Sequence, residues 1–112
     1  MDNLSKESEQ KVQQLQLMEQ NLQGIMSQRQ QFQAQLLEVE NALTEIQNSK
    51  GSAYKLIGSI MVLSEKEVLS KDLESKKEIL NVRLKSLKKQ EDGIKEKAEK
   101  LQAEVMSELQ GK

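Results

Sequence analysis

Cysteine, histidine, tryptophan and proline are all absent from the 112 residues of this chain. Without Cys or His there is no thiol nucleophile, no disulfide and no zinc or haem ligation by those residues. The side chain that ordinarily titrates near neutrality is missing too. The lack of cysteine suits a reducing compartment. Aromatics are scarce: one Phe and one Tyr make up 2% of the chain, beside 36% hydrophobic and 31% charged residues. That is too little bulk for an ordinary compact core. The longest apolar run, Ile60-Met61-Val62-Leu63, falls far short of the roughly 20 residues a bilayer-spanning helix needs. The opening MDNLSKESEQ holds no apolar segment, so no secretory signal is expected. Nor does one sign of charge dominate. Seventeen basic residues against eighteen acidic leave a net charge of −1, which creates no field to gather nucleic acid or anionic lipid. These absences predict a cytoplasmic protein with no membrane, nucleic-acid, metal or cofactor site. An enzyme is remote, because no nucleophile–base pair, phosphate loop or metal constellation is present.

What the chain does contain is periodicity. In the first half Leu15, Met18, Leu22, Ile25, Phe32, Leu36, Val39, Leu43 and Ile46 recur at alternating spacings of three and four, with Arg29 where an apolar residue is due. Twelve glutamines among the first 50 residues surround this stripe. In the second half Leu73, Leu80, Leu87, Ile94 and Leu101 recur every seven residues. Leu84, Ala98 and Val105 fill the intermediate position, and Lys77 and Glu91 break it. Such narrow stripes are coiled-coil seams rather than the broad faces of globular helices. Ser64 with Glu67 predicts a capping box, Leu63 with Val68 a hydrophobic staple, and Gly51 a helix C-terminus. The expected helices are then 5–49 and 65–110, each about 65–70 Å long.

Folded antiparallel, the two stripes match if opposed position numbers add to 119 or 120, which sets Leu15 against Val105, Ile25 against Ile94, and Ile46 against Leu73. Arg29 then faces Glu91, and the two misfits form a register pair, since a slip by a heptad would set each charge against apolar side chains. The alternative is that both snorkel to solvent. Gly24 and Gly93 fall near one level on outer positions and predict a soft point in the coil.

Between the helices lies the one β-rich stretch. Gly58-Ser59 fits a two-residue type II′ turn, giving strands 53–57 and 60–64. Leu56/Met61 and Tyr54/Leu63 would share one face, and Ile57/Ile60 and Lys55/Val62 the other. A lone hairpin is marginal in water, and two apolar faces with open edges invite other copies. Tyr54, Leu56, Ile57, Gly58, Ile60, Met61, Val62 and Leu63 are therefore the expected subunit-assembly residues. A hairpin folded back on its own arm is the alternative.

The fold class expected is all-α dominated: a long antiparallel two-helix coiled coil joined by one central β-hairpin. Helix, YKLIGSIMV hairpin, and a second helix with RLKSLKKQE resemble the β-type subunits of prefoldin in their archaeal form, and SQRQQFQAQLLEVENALTEI in the first arm agrees. The resemblance covers nearly the whole chain, and the hairpin is its most specific part. Ala53, where many relatives carry a larger apolar residue, and the short NSKGS approach to the hairpin depart from the usual pattern. The resemblance implies a single prefoldin-like domain over 1–112. It implies an assembly of two α-type and four β-type subunits joined through a β-barrel body. Such assemblies hold unfolded clients without ATP and pass them to a group II chaperonin.

Client contact needs adaptable apolar surface outside the seam. The residues expected to supply it near the coil tips are Val12, Leu17, Met26, Met106 and Leu109, with Leu4 and the termini adding to them. Methionine is flexible and polarizable enough to meet many partners. Packing within the coil is the plainer account of the same residues, and the favoured one for Met18. The basic run Arg83, Lys85, Lys88, Lys89 reads as a solvated helix face, because no aromatic interleaves it for base stacking. A structural coiled-coil adaptor that oligomerises through its hairpin stays open as the alternative function.

Overall fold

The computed structural model describes residues 5–49, 51, 53–57 and 59–110, with Val62 described for its backbone only. Ser5 opens the first helix. Its carbonyl accepts the Glu9 N–H at 3.0 Å and its hydroxyl accepts the Ser8 N–H at 3.1 Å, so it caps α1 (Lys6–Asn48). Glu7 and Glu9 in the first turn complement the exposed N–H groups there. The far end of α1 tightens into a turn in which the Ser49 N–H meets the Ile46 carbonyl at 3.3 Å, and Lys66 Nζ donates to the Ser49 carbonyl. Gly51, expected as a C-cap, does not take the left-handed backbone that such a cap requires. Lys66, reaching across from the start of the other helix, serves the helix end instead.

β1 (Ala53–Ile57) and β2 (Ile60–Ser64) form a two-stranded antiparallel sheet in the register Ala53↔Ser64, Tyr54↔Leu63, Lys55↔Val62, Leu56↔Met61, Ile57↔Ile60. The cross-strand pairs are those expected; Gly58, and with it the proposed turn type, lies outside the described residues. α2 (Lys66–Gln110) starts later than the capping box required. Ser64 is consumed as the last strand residue, and the first helical hydrogen bond runs from the Leu69 N–H to the Glu65 carbonyl at 3.0 Å. With the start displaced, the staple fails: Leu63 and Val68 both stay more than half exposed, and Leu69 is the first residue of α2 to bury.

Two compact units can be told apart, one made of the chain up to Arg29 with the chain from Ser86 onward, the other of Gln30–Lys85. In the first, Leu15, Met18, Leu22, Ile25 and Arg29 on α1 and Leu87, Glu91, Ile94, Ala98, Leu101 and Val105 on α2 are buried or half-buried. In the second, the same holds for Phe32, Leu36, Val39, Leu43 and Ile46 and for Leu73, Lys77, Leu80 and Leu84. The heptad stripes are thus the antiparallel seam. The level of the partners differs from expectation. In the first unit Ser8 meets Glu108, and in the second Arg83 lies over the Phe32 ring with 5.6 Å to its centroid. Opposed position numbers therefore add to about 115 or 116, half a heptad from the register read off the sequence. Matching apolar residues one by one could not separate these registers, because both keep apolar residues facing apolar residues along most of the stripe. The offset is the one that lets knobs of one position type enter holes beside the other type.

Gly24 and Gly93 show no structural need for glycine. A methyl group at either would meet no atom within 4 Å, and neither backbone is left-handed. Gly24→Ala and Gly93→Ala are each expected to stabilise the coil by about 1 kcal/mol through helix propensity alone. Circular-dichroism melts should place each variant above the parent, with the two effects additive.

Candidate functional site

Five-residue strands bearing apolar side chains on both faces have nothing of their own to pack against. Leu56 keeps 68% of its surface exposed on one face and Ile60 keeps 66% on the other. Tyr54, Ile57, Met61 and Leu63 are also more than half exposed, so the hairpin is not folded back on its helices. Each strand pairs on one side only, which leaves outward-facing N–H and C=O groups along β1 and β2. The described tie between the hairpin and α2 is Lys55 to Asp72 at 3.5 Å, an exposed ion pair worth at most about 1 kcal/mol. The side chain of Val62 lies outside the described residues.

In the first unit Arg29 donates to Glu91 Oε2 at 2.6 Å, and Lys95 donates to Oε1 at 2.8 Å, so each carboxylate oxygen has its own cation. The Glu91 side chain keeps only 7% of its surface. In the observed register Glu91 is level with Ile25, itself buried, and Arg29 reaches it by stretching one turn along the seam. The Lys95 hydrogen bond first, then the charges of Arg29, Lys95 and Lys88, hold the Glu91 carboxyl below its ordinary value near 4.5, against the opposing pull of burial. A depressed folded value means that the stabilisation is complete above about pH 4.5 and is lost as pH falls through the lower folded value. The stability gap between the parent chain and Glu91→Gln, measured by chemical denaturation, is expected to be wide at neutral pH and to close as the solution is acidified below about pH 4.5. A gap that stays constant with pH would show that this carboxylate is not the titrating element.

Closer to the helix ends the seam turns polar. Ser8 is 1% exposed and donates to Glu108 Oε2, while Lys11 reaches Glu108 at 2.6 Å and Glu104 at 3.3 Å. The Glu108 hydrogen bond and then Glu104 raise the Lys11 ammonium above its usual value, burial opposing them. Sequence reading missed this layer because it followed apolar residues only; serine and lysine three apart, continuing the heptad, were the available signal.

Around these layers the expected tip residues divide. Leu17, Met26, Met106 and Leu109 are exposed, whereas Val12 is half-buried, because it flanks the seam right after Lys11. Val12 and Met26, two heptads apart, occupy one flank of α1, and Met106 and Leu109, three apart, occupy the flank of α2 that meets it. Leu17 lies on the opposite flank. Met18 packs half-buried in the seam. Leu4 and the terminal residues lie outside the described part. In the second unit the exposed apolar residues Leu37, Ile79 and Val82 went unread, and Val68, expected in the staple, is exposed beside them. The basic run carries its own partners, Arg83 over Phe32 and Lys88 with Asp92 at 3.2 Å. Among the described residues no group of three carboxylates could hold a metal ion, and no helix is long and apolar enough to cross a membrane.

Comparison with known proteins agrees with this architecture. A family model described as prefoldin subunit matches residues 9–112. The chain is 37% identical to the prefoldin subunit beta of Methanospirillum hungatei, over 100% of its own length and 95% of that protein. It is also 37% identical to the prefoldin subunit beta of Archaeoglobus fulgidus, over 88% and 86% of the two chains. Among solved structures, the prefoldin beta subunit from Thermococcus strain KS-1 superposes with a TM-score of 0.88 at 33% identity, covering 96% of each chain.

Proposed function

The chain belongs to the prefoldin subunit family, which makes it a chaperone subunit, and from that premise we propose that it is the β-type component of a cytoplasmic, ATP-independent holdase. In this reading the hairpins of several copies, together with those of an α-type companion, pair edge to edge and face to face into a β-barrel body of two α and four β subunits. The coiled coils carry the clients, and their ends present Met26, Met106 and Leu109 to unfolded chains, which are then passed to a group II chaperonin. The observation that supports this most directly is the hairpin itself: six large apolar side chains on two faces, each more than half exposed, between helices that do not cover them. Burying a side chain of that size yields about 1.5–3 kcal/mol, so a joint of several hairpins is strongly favoured over isolated ones.

The test is functional and needs the assembled protein. The chain is mixed with an archaeal α-type prefoldin subunit, the mass of the complex is measured under native conditions, and two unrelated denatured proteins are diluted into it without nucleotide. Suppressed aggregation of both, followed by refolding once a group II chaperonin and ATP are supplied, is the expected result. A complex that ignores denatured proteins and retains one folded partner would replace the holdase by an adaptor.

A further inference from the structure

Lys66 stands one heptad before Leu73, so it continues the α2 seam to the edge of the hairpin, and it is half-buried there. Its ammonium donates to the Ser49 carbonyl, just past the end of α1. Among the described residues this is the one side chain of either helix that bonds the main chain at the end of the other. α1 has no basic residue in its last turn and Gly51 gives no left-handed cap, so the carbonyl end of that helix finds its cation in Lys66; Lys50 lies outside the described residues. Packing gives little direction at this level. In the observed register Ile46 is level with Ser70, a small partner, and an open groove of about 400 Å³ bordered by Ile46, Lys66 and Ser70 runs beside them. Connectivity leaves the same point loose. Glu65 alone separates β2 from α2, so the hairpin follows α2 closely, whereas residues 49–52 separate α1 from β1. The Lys55–Asp72 pair also joins the hairpin to α2 and leaves α1 untied. The bond from Lys66 to Ser49 therefore closes the base of the loop 49–66, where the hairpin leaves the coil.

We infer that Lys66 is the positioning residue of the assembly joint: by holding the end of α1 against the start of α2 it fixes the direction in which the hairpin projects. The inference rests on the hairpin reading above, since direction matters only where hairpins of several chains must meet edge to edge. A hairpin that rocks on a one-residue stem is competent to join in a fraction of its conformations, and its apparent affinity falls by that fraction. A closed base removes this loss before association begins. An ammonium suits the task, because any of its three N–H groups can follow the carbonyl and its charge is favourable at a helix C-terminus.

Lys66→Met keeps an unbranched apolar stem and removes the donor, whereas Lys66→Arg keeps a donor. Mixed with an archaeal α-type prefoldin subunit and read by native mass, the Lys66→Met chain is expected to need about ten times more companion for half-assembly. The Lys66→Arg chain should stay within about twofold of the parent. Adding Gly24→Ala and Gly93→Ala to Lys66→Met separates positioning from stability. Their gains in helix propensity together outweigh the loss of one hydrogen bond, so this chain should melt at or above the parent temperature. It should still assemble about tenfold more weakly. Recovery of parental assembly would reduce Lys66 to a contribution to stability and overturn the inference. Orientation itself is read with spin labels at Ser59→Cys on the turn and Asn41→Cys on α1, since the chain has no other cysteine. Labelled chain is diluted in unlabelled chain, so that the distances measured lie within one copy. The distribution is expected to be narrow with Lys66 or Lys66→Arg and broad with Lys66→Met, compensated or not. An unchanged distribution in the Lys66→Met chain overturns the inference and leaves the hairpin joint standing. A parent chain that ignores the α-type companion overturns the hairpin reading, and the positioning role with it.

Discussion

Ile57→Asp combined with Ile60→Asp is expected to leave a helical monomer where the parent chain assembles. The two residues face each other across the strands, so the substitutions place a pair of carboxylates on one face of the hairpin. In the isolated chain both sites are exposed, and the helices make no use of them, so far-UV circular dichroism should change little. In an assembly the same sites would be buried. Losing two apolar burials worth about 1.5–3 kcal/mol each weakens association by three orders of magnitude or so, before the cost of desolvating the carboxylates is counted. Sedimentation or native mass measurement with an α-type subunit reads the outcome directly. Lys55→Gln is the matched control, because it removes only an exposed pair at 3.5 Å and should leave the mass unchanged. A double variant that assembles like the parent would mean that the hairpin is not the joint.

The reach of the sequence can be judged residue by residue. Heptad spacing located the seam from Leu15 to Ile46 and from Leu73 to Val105 but not the Ser8–Lys11–Glu108 layer beyond it, and strand pairing followed from Gly58-Ser59 and the alternation of side chains around it, since a two-residue loop leaves one register. Arg29 and Glu91 were paired correctly, though for an incomplete reason. Their levels differ by a turn, and long side chains bridge the gap, with Lys95 as a third partner that spacing alone did not reveal. The half-heptad offset stayed hidden because most layers stay apolar on both sides after such a shift. Helix starts were misplaced where strand and cap compete for one residue: Ser64 can cap a helix or pair with Ala53, and the ladder won. Ser5, with no strand to compete, caps as its type favours. The exposed residues Ile79 and Val82 on the outer faces escaped because the first period found was taken as the only one, although their own spacing of three also fits one helix face.

The division of the tip residues between flanks leads to a sharper expectation than composition could. Met26→Ser, Met106→Ser and Leu109→Ser together remove the exposed apolar surface of one flank without entering the seam, since all three sites are already about half exposed or more. Folding and assembly should therefore persist. The concentration of complex that halves the aggregation of a denatured client is expected to rise about tenfold, the equivalent of losing somewhat over 1 kcal/mol of client contact per binding event. Leu17→Ser removes one comparable side chain from the opposite flank, and its effect should stay within about twofold. Equal losses from the two variants would mean that clients grip the coil from all sides, and that methionine placement matters less than total apolar area. Intact protection by the triple variant would move the binding surface away from this end altogether, toward the exposed Leu37 and Val82. Val12 stays unaltered in this design because its half-buried side chain supports the layer where Lys11 meets Glu108, and changing it would confuse lost packing with lost binding.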